Sequence, residues 1–102
     1  MGRIEMNLAI ANRQAEQLEQ MSATLRRLSQ QNLNSSIQDI KRNWESESAN
    51  RFCFKGTCLS NSILASANQL KRIADNIRTV ARNTYNAEKR AEEIARARTY
   101  RN

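Results

Sequence analysis

The chain has 102 residues, of which 39% are hydrophobic and only 5% aromatic, and its net charge is +7. It contains no histidine, the residue that most often acts as a general base or as a metal ligand. It also has no proline and only two glycines, the residues that supply the tight turns of a strand-rich fold. This composition argues against enzymes and metal-binding modules and predicts a single all-α domain over residues 1–102, without catalytic, cofactor-binding or metal-binding residues.

The first predicted helix covers about residues 4–42. Apolar residues recur in it in steps of three and four, as amphipathic helices require. The rhythm is interrupted between Leu28 and Leu33, where the chain reads Ser-Gln-Gln-Asn. A five-residue step disturbs a heptad pattern, so we expect a bend or a weakened helix between residues 29 and 36.

A turn is predicted at about residues 43–46. Ser46 is a natural N-cap because its hydroxyl can accept a hydrogen bond from a free amide of the next turn. Glu47 then lies favourably at the positive end of the new helix, and Lys41 and Arg42 lie at the negative end of the previous one. So short a link makes the two helices antiparallel neighbours.

The second predicted helix covers about residues 47–97 and carries a heptad pattern of apolar residues. Because two helices cannot cover both of their apolar stripes, the sequence predicts an antiparallel two-helix hairpin that dimerises into a four-helix bundle. The residues expected to form the hairpin and dimer seam are Leu18, Leu25, Ile37, Ile40, Leu59, Ile63, Leu70, Ile73, Ile77 and Val80.

Two features of the second helix leave alternatives open. Gly56 falls on a seam position, where it either lets another helix approach closely or marks a local break in the helix. Cys53 and Cys58 are five residues apart, a spacing that on a helix places them beyond disulfide reach. Two free thiols are therefore expected, and the alternatives are a bond between subunits or a bridge where the helix opens.

The residues at the turn resemble those of the WXG family, the early-secreted-antigen-like proteins of type VII secretion. Trp44-Glu45-Ser46 stands at the midpoint of the chain and Phe52 follows it, as in the family's Trp-x-Gly motif and later aromatic residue, although Ser46 replaces the glycine. The resemblance implies a helical hairpin that forms a homodimer, or a heterodimer with a related hairpin or a larger secreted substrate. It implies synthesis in the cytoplasm and secretion without a cleaved signal peptide.

The resemblance also implies a secretion signal near the end of the second helix, of the form Tyr-x-x-x-Asp/Glu. Here Tyr85 is followed by Glu88 three residues on and by Lys89 four residues on, so the signal is imperfect. We therefore expect Tyr85 and Glu88 to act with the turn motif as a composite surface for the type VII export ATPase, in a chain that depends on a partner.

Charge is unevenly divided between the two halves of the chain. Residues 1–45 carry six basic and five acidic side chains, whereas residues 46–102 carry eleven and five. A basic helical dimer that binds nucleic acid is therefore the alternative hypothesis, but acidic residues interrupt the basic ones and no basic block precedes the heptads. The apolar stripes are narrow and rich in alanine, so membrane insertion is not expected.

Overall fold

The structure, a computed structural model, describes the backbone of residues 2–101 and the side chains of residues 2–99. Three α-helices occupy most of this range: α1 (Arg3–Arg27), α2 (Asn34–Asn43) and α3 (Glu47–Arg101). Between α1 and α2 the chain forms a π-helical segment, Leu28–Leu33. No strand occurs in residues 2–101, which confirms the predicted helical class.

The π-helical segment coincides with the predicted interruption of the apolar rhythm. Buried residues recur every seven positions at Ala15 and Ser22 of α1 and at Ser29 of the π-helical segment, but the next buried residue, Ile37, is eight positions further on. α1, this segment and α2 follow one another without a break, and we call them together the first rod. A π-helical turn takes up one extra residue, so the segment keeps α1 and α2 facing the same side. Residues 3–43 contain neither proline nor glycine, the usual causes of a helix irregularity. The extra residue in the heptad pattern is therefore the cause of the π-helical segment.

The turn has the capping interactions that the sequence predicts. The backbone N–H of Ala49 donates to the hydroxyl of Ser46 over 3.0 Å, which caps the N-terminus of α3. Trp44 leaves the helical conformation with φ −142° and ψ 106°, while its N–H still donates to the carbonyl of Ile40. The link between α2 and α3 is therefore only Trp44–Ser46.

Helix α3 is continuous past Gly56, so the alternative of a local break there is wrong. A Cβ atom at Gly56 would lie 3.0 Å from Cδ1 and 3.2 Å from Cγ1 of Ile37, a buried side chain of α2. The glycine thus marks a close approach between α2 and α3. The helix extends to Arg101, beyond the predicted end near residue 97.

The first rod packs antiparallel along α3 through small side chains. The residues buried in this contact are Ala15, Ser22, Ser29 and Ile37 on one side and Ala49, Cys53, Ser60, Ala67 and Ala74 on the other. We call these nine residues the small-residue seam. Such side chains allow the helix backbones to approach closely, and the molecule measures 84 × 19 × 11 Å.

Hydroxyl groups in the seam are satisfied across the two helices. The Ser22 hydroxyl donates to the carbonyl of Ala67 over 2.7 Å, and the hydroxyls of Ser29 and Ser60 lie 2.6 Å apart. Ser60 Oγ also donates to Oδ1 of Asn34 over 2.9 Å. No buried side-chain nitrogen or oxygen of the described residues lacks a partner. These bonds therefore pin the register of the two helices.

Candidate interaction surface

The residues predicted for the hairpin and dimer seam lie at different depths. Ile37 is buried in the small-residue seam. Six others are half-buried along its edge: Leu18, Leu25, Ile40, Ile63, Leu70 and Ile77. Three are exposed: Leu59, Ile73 and Val80. Small residues occupy most of the contact between the helices, and most of the large apolar side chains lie outside it.

These large side chains share one side of the molecule. On a helix, the position three residues after a buried one and the position one residue before it rotate to the same side. In an antiparallel pair packed through the buried positions, both helices direct those positions to the same face. We call this surface the apolar face; its large apolar residues are Leu18, Met21, Leu25, Leu28, Ile40, Phe52, Leu59, Ile63, Leu70, Ile73, Ile77 and Val80, and the polar residues at the same positions are Gln14, Asn32, Ser36, Ser48 and Ser66.

The opposite edge of the seam is polar and carries ion pairs. Glu19 of α1 bonds to Arg78 and, over 3.0 Å, to Nζ of Lys71, and the guanidinium of Arg26 donates to Oδ1 of Asn68 over 2.8 Å. The hydrogen bond from Arg78, followed by that from Lys71, lowers the pKa of Glu19. The four charged groups lie four positions after a buried residue, and Asn68 lies one position after buried Ala67, on the side away from the apolar face.

A second group of ion pairs, around Lys89, joins the open ends of the two helices. Nζ of Lys89 lies 3.2 Å from Glu5 Oε1 and 3.6 Å from Glu92 Oε1. A backbone hydrogen bond, and then the bond from Lys89, lowers the pKa of Glu5, and the bond to Glu5 raises the pKa of Lys89. The charged groups therefore bridge the helices on the polar edge.

The borders of the apolar face are uncharged over most of their length. The residues that flank it are Gln17, Thr24 and Gln31 on α1 and the π-helical segment, and Lys55, Ser62, Gln69, Asn76 and Asn83 on α3, all of them exposed, and Lys55 is the charged one among these eight. Amides and hydroxyls tolerate burial against a polar or an apolar neighbour better than charges do. The face is therefore suited to a partner that carries no matching charge.

A groove opens on the apolar face between the N-terminal part of α1 and α3. It has a volume of about 470 Å³ and is lined by Ile4, Leu8, Ala11, Ile73, Ile77 and Val80, among others. Tyr85 and Glu88, for which the resemblance predicts a secretion signal, line the same groove and are half-buried. The guanidinium carbon of Arg82 lies 5.6 Å from the ring centre of Tyr85.

The turn motif lies at the other end of the molecule. Trp44 is 51% exposed and Phe52 is 58% exposed, and Glu45 also lies on the surface. Trp44 and Tyr85 are separated along α3 by roughly 60 Å at 1.5 Å per residue. One chain therefore does not bring the turn motif and the Tyr85–Glu88 region together.

The two cysteines of α3 differ in exposure. Cys53 is buried in the seam and Cys58 is exposed, and both are free thiols. No group of three or more His, Cys, Asp or Glu side chains in the described part of the chain could hold a metal ion. No helix within that part is long and apolar enough to cross a membrane.

Sequence reasoning predicted Ile37 but missed the small residues of the seam, although a signal for them is present. Cys53, Ser60, Ala67 and Ala74 recur at intervals of seven in α3, and Ala15, Ser22 and Ser29 do so in α1 and the segment after it. The pattern escapes a search for large apolar residues. Comparisons of the chain with protein-family models, curated proteins and solved structures give no match.

Proposed function

We propose that the chain is a WXG-type helical hairpin of type VII secretion, a substrate or an escort that acts by binding another protein. In this proposal the apolar face pairs with a related hairpin, a second copy or a larger secreted substrate, and the product is a four-helix bundle. The observation that carries the proposal is the uncovered apolar face, which a folded monomer leaves in water. Large apolar patches bordered by polar residues are typical of protein-binding sites.

The size of the face supports stable association. Covering it would remove from water the exposed part of Met21, Leu28, Phe52, Leu59, Ile73 and Val80, which are 41–63% exposed, each contributing roughly 1 kcal/mol. The gross gain is then about 6 kcal/mol for each chain, against a cost of association of about 4–15 kcal/mol. A partner that presents a similar face would add its own gain and make the complex stable.

The turn supports the secretion part of the proposal. Trp44 is half exposed at the end of the first rod. A tryptophan buried between the two helices would stabilise the fold more, so its exposure favours a role in binding. With Glu45, Ser46 and Phe52 it would form one half of the surface recognised by the export ATPase. Tyr85 and Glu88 would form the other half, supplied by the partner chain because one chain holds the two halves far apart.

The alternative, a basic helical dimer that binds nucleic acid, has less support. Arg78, Lys71 and Lys89 in the basic half are engaged by Glu19, Asp75, Glu5 or Glu92. Pairing reduces the charge that such groups offer to phosphates. A dimer retained on DNA at near-physiological salt, with retention falling steeply as salt rises, would favour this alternative.

Co-expression with the products of neighbouring genes tests the proposal. We expect a complex, measured by mass in solution, with the chain present as a dimer or a heterodimer. Ile73→Asp, on the apolar face, should dissociate it, because burial of an unpaired carboxylate is costly. Asn61→Asp, exposed on another side of α3, is the matched control and should leave it intact.

Export provides the second arm of the test. Trp44→Ala should reduce secretion while leaving helicity and mass in solution unchanged. Phe54→Ala is the control, because Phe54 is an exposed aromatic residue near the same end of α3 but outside the apolar face. A stable monomer that binds no hairpin and is secreted equally with and without Trp44 would contradict the proposed function.

A further inference from the structure

The groove at the open end of the molecule combines apolar walls with a single carboxylate. Ile4 and Leu8 of α1 and Ile77 and Val80 of α3 line a volume of about 470 Å³. Glu88 is the one charged residue among the described residues that line it, and the other polar ones carry amides or hydroxyls. Concave apolar surfaces of this size with few polar groups are typical of small-molecule sites.

Glu88 continues a row of small residues along α3. Ala67 and Ala74 of the small-residue seam are followed at intervals of seven by Ala81 and then by Glu88. Positions seven apart on a packed helix lie on the same side, so the row leads the Glu88 side chain toward the groove instead of away from the first rod. A carboxylate thus stands where the rest of the row has a methyl group or nothing larger than a hydroxyl or thiol.

The Glu88 carboxylate makes no ion pair with any other side chain in the described part of the chain. Its neighbour Lys89 is engaged by Glu5 and Glu92 instead. Glu5 also supplies the acidic side chain in the first turn of α1, so the positive end of that helix does not account for Glu88. A half-buried carboxylate in an apolar groove is stabilised by a cation that comes from outside the chain.

We propose that the groove binds a small amphipathic amine, a molecule with an apolar body and one ammonium group, and that the ammonium lies at Glu88. The apolar body covers Ile4, Leu8, Ile77 and Val80, and the ammonium donates a charge-assisted hydrogen bond to the carboxylate. The inference does not rest on the proposed function, because a single chain supplies every lining residue named for the groove.

The ring of Tyr85 favours a cation at the same end of the groove. Tyr85 precedes Glu88 by three residues, so the two side chains are neighbours on the helix surface, and both line the groove. Aromatic rings attract cations, and the guanidinium carbon of Arg82 already lies 5.6 Å from the centre of this ring. Arg82 is not among the lining residues, so the charge inside the groove is negative.

The carboxylate also decides against the opposite class of amphiphile, a fatty acid. The net charge of +7 attracts anions to the chain as a whole. Within the groove, however, an anionic head group would meet Glu88, and like charges in a half-buried site repel each other. The groove therefore prefers a cation although the chain is basic.

Titration of the full chain with n-octylamine, n-octanol and octanoate at pH 7 tests the ligand class. The three probes share one apolar body and differ in the charge of the head group. NMR chemical shifts should report one octylamine per chain in the groove, bound about tenfold more tightly than octanol, because a hydrogen bond to a charged group is the stronger one. Octanoate should bind least. Equal affinities of the amine and the alcohol would overturn the inference.

A matched pair of variants tests the role of Glu88. Glu88→Gln should lower the affinity for octylamine about tenfold, to that of octanol, and should leave the affinity for octanol and the helicity unchanged. Glu93→Gln is the control, because it removes an exposed carboxylate of the same helix and the same unit of net charge. Equal losses of octylamine affinity in both variants would overturn the site, since net charge alone would then explain them.

Other occupants of the groove give different results in the same experiments. A chain that binds none of the probes, but whose complex with another hairpin is weakened by Glu88→Gln, would overturn the small molecule in favour of a basic side chain of that partner. Failure of the amine to bind leaves the proposed function standing, because mass in solution and export test that function separately.

Discussion

Replacing Gly56 with alanine tests the close approach between α2 and α3, because two opposing effects act on the same atom. Alanine is favoured over glycine within a helix by about 1 kcal/mol. The added Cβ would lie 3.0 Å from Cδ1 of Ile37, a side chain only 4% exposed, so the isoleucine must shift within a packed contact. Overpacking of this kind typically costs about 1–3 kcal/mol. We expect Gly56→Ala to destabilise the chain by about 1 kcal/mol.

The contact with Ile37 is isolated by a double-mutant cycle. Ile37→Val alone should cost about 0.5–1.5 kcal/mol, because it deletes a buried methyl group. In the Gly56→Ala chain the same change removes the clashing Cδ1 atom, so its cost should fall by at least about 1 kcal/mol. Urea unfolding followed by circular dichroism measures all four proteins. Additive effects of the two substitutions would refute the close approach at Gly56.

Three further predictions concern the seam and the polar edge. Ala67→Leu should cost more than about 2 kcal/mol in urea unfolding, because it forces apart helices whose contact is fully buried there, whereas exposed Asn61→Leu should be nearly neutral. Deleting Gln31 should leave the melting temperature unchanged, because it shortens the eight-residue step from Ser29 to Ile37 to the regular seven. Deleting Gln17 should lower the melting temperature, because it shortens the regular step from Ala15 to Ser22 to six. Arg78 and Lys71 lower the pKa of Glu19 in the folded chain. The Glu19 carboxylate should therefore stabilise the fold at pH values above its ordinary pKa of 4.5, and this contribution should be lost as the pH falls through the lowered pKa of the folded chain. Glu19→Gln should therefore weaken the fall in the free energy of unfolding at acid pH, measured by urea unfolding at several pH values. An unchanged dependence of this free energy on pH would contradict the ion pair.

Much of the backbone follows from local chemistry. The helical class comes from good helix formers without proline, and the start of α3 comes from the Ser46 hydroxyl, which meets the N–H of Ala49 as expected. The interruption after Leu28 follows from one extra residue in the heptad rhythm. Each of these features depends on residues that are close together in the sequence, so it can be predicted from a short stretch of sequence without the tertiary structure.

The contact between the helices was harder to predict. Leu59, Ile73 and Val80 have the stronger hydrophobic pattern, yet they remain exposed, while Ser60, Ala67 and Ala74 are buried. Hydrophobicity ranks leucine and isoleucine above alanine and serine, but a close antiparallel contact favours small side chains and hydroxyls that reach a carbonyl across it. Size and mutual fit of two surfaces decide such a contact, and neither is a property of one helix.

The sequence by itself therefore determined the helices, the turn and the existence of long apolar stripes, because each arises from local propensity and periodicity. Only the tertiary structure decided how those stripes are used. The polar edge, with Glu19 between Lys71 and Arg78, and the seam at Ser22 and Ala67 set the rotation of each helix. That rotation gathers the large side chains on one face and leaves them uncovered, because burial of a side chain depends on what packs against it.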